Sequence, residues 1–255
     1  MSRQPRQFSS SGFYHIVFRG VNHCHLFEQR YDYERMLDLL LAVKQEVGIQ
    51  VHAYCLMSNH VHLLLHANAP QDLPRSMSKL LGPYATWFNK KYGRSGALIA
   101  NRYKSTCIED DAYLFAVIRY IHKNPMDAGM VSAYDQYQWS SFTDYVSGQS
   151  ELIDSGFILS MFSPDRVTAV DRFISFHSQA ETLHISSPDR PPRTSKQIHD
   201  GIVGLLGDVS LHSVSGLPKG QRDTIIKSLR QHHFSIRQIE RVTGIPRGII
   251  AKVTI

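Results

Sequence analysis

The chain has 255 residues, of which 42% are hydrophobic, 10% aromatic and 20% charged, and its formal net charge is +6. This composition supports a buried core and excludes disorder as a whole-chain description; the length suits one large domain or two modest ones. No apolar run reaches the roughly 18 uncharged residues of a membrane span, and the polar, basic stretch Met1–Ser11 lacks the apolar centre of a signal peptide, so a non-membrane, cytoplasmic protein is expected. Three widely spaced cysteines, Cys24, Cys55 and Cys107, with no CxxC among them, argue against a disulfide framework or a cysteine zinc site.

The charge is unevenly placed. Residues 1–150 carry 15 Lys/Arg against 12 Asp/Glu, residues 151–215 carry 5 against 8, and residues 216–255 carry 8 against 2. A basic C-terminal stretch that is also rich in isoleucine predicts a folded unit that meets a polyanion.

In chain order, FYHIVFRG over Phe13–Gly20 reads as a strand, and Tyr31–Val47 places Met36, Leu37, Leu40 and Leu41 at helical spacing before Gly48 stops it. Val51–Met57 and Val61–His66 flank Ser58-Asn59 and read as a hairpin. Ser76–Tyr92 reads as a helix, Leu98–Ile108 as a strand, and Asp110–His122 as a helix with an acidic first turn, ended by Asn124-Pro125. The order β-α-β-β-α-β predicts an α+β, ferredoxin-like fold: an antiparallel sheet with helices on one face. Residues 151–200, with SSPDRPPRTS, read as a linker.

Two constellations carry chemistry. His60 and His62 alternate on an extended segment, so both imidazoles point to one sheet face with Cβ atoms about 7 Å apart, near enough to share a divalent ion, while Val61 faces the core. Such a pair is equally compatible with solvated or hydrogen-bonded histidines, and His23 with His25 shows how readily the pattern arises; Leu64 rules out a third alternating histidine. Tyr120 and Asn124 are i,i+4 neighbours near the end of a helix, where a phenol and an amide oxygen could sit beside such an ion or simply pack and cap.

The blocks HAYCLMSNHVHLLLH, ALIANRYKST, YLFAVIRYIHKNPMDAGMV and YQWSSFTDY, in that order over residues 8–150, resemble the IS200-type and REP-associated tyrosine transposases, the single-tyrosine branch of the HUH nucleases. The resemblance implies a catalytic domain over 8–150, with His60 and His62 as metal ligands, Asn124 as a third, amide ligand, Tyr120 as nucleophile, and Mg²⁺ or Mn²⁺ as the ion. It implies cleavage and rejoining of single-stranded or hairpin DNA through a 5′-phosphotyrosine. Asn59 stands where several relatives carry an acid. Arg19, Arg102, Lys104 and Arg119 are candidate phosphate contacts, and Tyr14, Phe18 and Tyr103 candidate base-stacking rings.

Residues 201–255 read as a helical unit resembling a helix-turn-helix: Ser235-Ile236-Arg237-Gln238 has the form of a capping box, Ile239 and Val242 continue an apolar face, Gly244 turns, and Pro246 opens a helix ending near Val253. Arg247 and Lys252 would then face duplex or hairpin-stem DNA. The expected function is a DNA strand-transferring transposase; the alternative is a catalytically silent DNA-binding regulator that keeps the fold. The sequence leaves a homodimer open.

Overall fold

The computed structural model describes residues 8–179, 195–206, 214–231, 234 and 236–253, and the chain divides into two compact units, residues 1–185 and 186–255. In the first unit, β1 (Phe13–Arg19) is followed by α1 (Arg30–Val47), the hairpin β2 (Gln50–Met57) and β3 (His60–His66), α2 (Asp72–Lys91) and β4 (Lys104–Ile108). The four strands form an antiparallel sheet in the order β2-β3-β1-β4, which is the ferredoxin-like arrangement within an α+β unit. Gly48 ends α1 at φ +80°, a left-handed conformation that suits glycine.

Then come α3 (Asp111–Asp127), α4 (Phe142–Ser147), α5 (Ser155–Ser160) and α6 (Arg166–Ser178). Three differences from the sequence reading have physical causes. β4 starts at Lys104 rather than Leu98, because Asn101 takes φ +55° and separates it from an isolated bridge of Ile99 with Gly20. Asn124-Pro125 does not end α3. Pro125 is buried, and the side-chain amide of Asn124 donates to the Tyr120 carbonyl at 2.8 Å, so packing and a side-chain bond offset what the proline removes, and the helix runs on to Asp127. Residues 151–178, expected to be a linker, instead form α5 and α6 within the first unit, where Ile158, Ala169 and Phe173 are fully buried. Residues 186–194 of the proline-rich stretch lie outside the described residues.

Both faces of the sheet are covered. Residues 13–18 of β1 and 61–65 of β3 are all buried, and α3 packs against β2 and β3 on the face that carries His62. Asp110 starts α3 by accepting a hydrogen bond from the Tyr113 amide at 2.8 Å.

The second unit is built from α7 (Ser195–Leu206), α8 (Lys219–Gln231), α9 (Ile236–Thr243) and α10 (Arg247–Ile250) around Ile202, Val214, Ile226, Leu229, Ile239, Ile245 and Ile250. Gly244, at φ +72°, makes the turn between α9 and α10. The last helix closes at Ile250, short of the expected Val253; Gly248 lies inside it and lowers its helicity. Ser235, read as the cap of α9, lies outside the described residues.

Candidate active site

The site begins with register. Antiparallel pairing sets His62 opposite Val17 and His60 opposite Arg19, and because β3 is an inner strand, the alternation that aims both imidazoles to one face aims them under α3 rather than into solvent. His62 is fully buried and His60 half-buried, their rings 5.1 Å apart at 86°. Across from them, the Tyr120 ring meets His62 edge-on at 5.4 Å. The candidate nucleophile and the histidine pair, 58 positions apart in the chain, thus share one enclosure.

A third histidine, His15 on β1, completes it. It is buried, stacks on His62 at 5.3 Å and 21°, shares a hydrogen bond of 3.1 Å between its Nε2 and His62 Nδ1, and presents its ring to Tyr120 at 5.8 Å. Asn59 does the same for His60: its amide oxygen accepts from Nδ1 at 2.7 Å, which fixes the tautomer and puts the lone pair on Nε2. The bond between His15 and His62 can run in either direction; with Nδ1 of His62 as its donor, Nε2 of His62 would carry a lone pair like that of His60, each ring held from behind as metal-ligating histidines are.

Their electrostatics keep them neutral. Burial, with Arg19 and then His23 adding to it, pushes the His60 pKa down to about 4. Burial, then His15, His60 and Arg19, holds His62 well below the ordinary range, and burial alone takes His15 to about 4. Neutral imidazoles are the form a cation takes. Among the described residues no group of three or more His, Cys, Asp or Glu is arranged to hold a metal. Asn124, half-buried one turn after Tyr120, is the amide on that helix.

The other candidates divide. Arg102 and Lys104 are exposed and Arg19 is half-buried beside His60. Arg102 borders a cleft of about 480 Å³ lined by Met77, Leu81, Ala85, Leu98 and Ile99. The segment that walls this cleft is tied to the end of β1, with the Val21 amide donating to Leu98 O and the Ala100 amide to Arg19 O, both at 2.8–2.9 Å. Arg119 is not a surface cation: it is 6% exposed, with its guanidinium 3.7 Å from the centre of the Phe176 ring. Tyr14, Phe18 and Tyr103, expected to stack on bases, are buried in the core. His23 and His25 are exposed in a turn, where His25 lies 3.6 Å from Glu28. In the second unit Lys252 is exposed, and Arg247 is paired with Glu240.

Sequence reasoning missed His15. The signal was present in FYHIVFRG, where a polar residue alternates onto the face of Phe13 and Val17, but the partner strand that gives it meaning is known only from the sheet order.

Residues 9–124, a stretch that holds β1, His60, His62, Tyr120 and Asn124, match the family described as "Transposase IS200 like". In fold the chain is similar to the REP-associated tyrosine transposase solved bound to a REP hairpin, with TM-score 0.53, 14% identity, and 75% of this chain and 99% of that chain covered. A crystal structure of a candidate transposase from Deinococcus radiodurans R1 aligns over 52% of this chain and 100% of that one at 19% identity, with TM-score 0.34. No curated protein matches the chain. No helix among the described residues is long and apolar enough to cross a membrane.

Proposed function

We propose that this chain cleaves and rejoins single-stranded or hairpin DNA through a covalent bond between Tyr120 and a 5′ phosphate. The observation that carries the reading is the enclosure itself: the Tyr120 ring lies 5.4 Å from His62 and 5.8 Å from His15, on the same sheet face as His60.

In the step, Tyr120 Oη bonds to phosphorus, the P–O3′ bond breaks, and the phenol proton is given up as the leaving 3′ oxygen becomes a hydroxyl. A phenol ionises near pH 10 and a phosphodiester repels an incoming anion, so the reaction needs positive charge at the phosphate. His60, His62 and Asn124 would hold a divalent ion, Mg²⁺ or Mn²⁺, which when bound polarises the phosphate and offsets transition-state charge. His15 and Asn59 fix the orientation of the two imidazoles, and Arg19 adds a fixed cation beside His60. The phosphotyrosine keeps the energy of the broken diester, so a second 3′ hydroxyl can displace Tyr120 and join strands without a nucleotide cofactor. Arg102 and Lys104, both exposed, would contact the phosphates of a bound strand. Hairpin DNA as substrate is supported by the neighbour in fold, whose structure holds a REP hairpin. The C-terminal unit, with Arg247 and Lys252, would add affinity for duplex or hairpin stem.

The test is a covalent adduct. Labelled single-stranded DNA from the flanks of the chain's own gene should become attached to the wild-type protein in Mg²⁺ or Mn²⁺ and not to Tyr120→Phe, which should still bind the DNA. Mapping the adduct to Tyr113 instead would overturn the assignment, and tight binding with no adduct at all would favour the silent regulator.

A further inference from the structure

The helix that carries Tyr120 is gripped from behind. At about 100° per residue, Arg119 and His122 share a face of α3 turned well away from that of Tyr120, and both are engaged by consecutive residues of α6. The Arg119 guanidinium lies over the Phe176 ring at 3.7 Å and donates to Gln179 O at 3.5 Å. His122 Nδ1 is 3.0 Å from His177 Nε2. The directions of these bonds follow from their ends: His177 Nδ1 donates to Phe173 O at 2.8 Å, so its Nε2 accepts from His122, whose Nε2 then accepts from the Ser141 hydroxyl at 2.9 Å. Ser141 Oγ in turn accepts from the Tyr54 amide on β2 at 2.9 Å, and Tyr134 donates to His177 O at 2.8 Å. One buried chain thus bolts α3 to α6 on one side and to the sheet on the other.

We infer that Phe176 and His177 of α6 are positioning residues that set the rotation of α3 and thereby the placement of the Tyr120 oxygen, an inference that rests on Tyr120 being the nucleophile. Packing alone would need only apolar bulk behind the helix. What stands there instead is an aromatic face under a planar cation and an imidazole pair with fixed tautomers, both of which are directional. A phenol oxygen stands several ångströms off the helix axis, so a small rotation moves it by about 1 Å, and a misplacement of that size can cost on the order of 100-fold in rate. Arg119 and His122 lie inside the family match, which ends at residue 124, whereas Phe176 and His177 lie beyond it.

The test compares Phe176→Leu, which keeps apolar bulk and loses the ring face, with Phe176→Tyr, which keeps the face. Single-turnover cleavage of the flank-derived DNA should fall about 10-fold in Phe176→Leu with DNA affinity and melting temperature unchanged, and Phe176→Tyr should stay within about twofold of wild type. Independently of activity, 3-fluorotyrosine at Tyr120 should give a fluorine resonance that shifts or broadens in Phe176→Leu and returns in Phe176→Tyr. Wild-type rate and resonance in Phe176→Leu would overturn the inference, as would equal losses in both variants or a loss that tracks melting or affinity. If the wild-type protein forms no adduct, the reading of Tyr120 fails while the resonance still decides whether α6 sets its position. Should Phe176→Leu fail to fold, His177→Gln, which keeps a polar partner near Nε2, gives the same readouts.

Discussion

The two units bury different kinds of residue. Among the described residues, the first encloses five histidines, His15, His52, His62, His122 and His177, inside its core, and the buried residues of the second are aliphatic apart from Phe234 and Thr243. Burying an imidazole without a partner is costly, and the first unit recovers that cost through directional hydrogen bonds, which also fix where side chains point. An aliphatic core such as the second unit's holds helices together without orienting anything, and the unit's distinctive feature is the excess of basic residues over 216–255. The difference separates a core that orients polar side chains from one that only packs.

The largest effect expected from that division is in the histidine pair. His60→Ala should reduce cleavage by at least about 1,000-fold and leave the fold intact, since His60 is half-buried at the start of β3. His62→Ala should remove cleavage equally and also lower the melting temperature, because it empties a buried position and strips His15 of its 3.1 Å partner. EDTA should act like either variant; cleavage that survives EDTA would remove the metal from the mechanism.

Acid should also distinguish the units. His52 and His177 are held at about 4 by burial, while an unfolded imidazole titrates near 6.5, so the unfolded chain binds more protons in between. Stability is therefore whole above about pH 6.5 and is lost as pH falls toward 4, by roughly 3 kcal/mol for each such group. The two tryptophans, Trp87 and Trp139, both lie in the first unit. Denaturant midpoints read by tryptophan fluorescence should drop steeply between pH 6.5 and 4.5, whereas the helical signal of the second unit should not follow. A pH-independent tryptophan midpoint would contradict the neutral histidine core.

For the second unit the expected change is in salt dependence. Reversing Arg247 and Lys252 to glutamate in the full chain should weaken duplex or hairpin binding about 10-fold at low salt and reduce the slope of log affinity against log salt by roughly 0.9 for each phosphate that is no longer neutralised. Cleavage of a short single strand at saturating protein should be unchanged. An unaltered salt slope would mean that this unit does not read DNA. The smallest effect is Asn124→Ala: a neutral amide is the weakest of the three proposed ligands, so cleavage should fall about 10-fold and recover partly at high Mn²⁺.

Much of this arrangement was legible because it is periodic. Alternation in FYHIVFRG and HVHLLLH, and helical spacing from Met36 to Leu41, predict elements whose register then follows from the two-residue turn Ser58-Asn59. The rest depended on residues distant in the chain. Asn124-Pro125 is a stop signal by local rules, and burial of Pro125 together with the Asn124 side-chain bond overrides it. Arg119 looks like any basic residue of a helix until Phe176 is placed above it. SGFILS and RVTAVDRFISFHS are short and only weakly amphipathic, so the helices that hold α3 carry little signal before the core that receives Phe173 is known.

The strand order has a consequence for how copies of this chain can meet. Beyond β2 the sheet is already closed: Ser140 bridges Cys55, the Leu56 amide donates to Trp139 O at 2.9 Å, and the Asp154 amide donates to Val51 O at 2.8 Å. The outer side of β4 is the other lateral border, five residues long, with Lys104 and Thr106 exposed on it. A short border with a lysine at its head is a poor template for an incoming strand, so the sheet is protected against edge-to-edge polymerisation on one side by its own chain and on the other by length and charge.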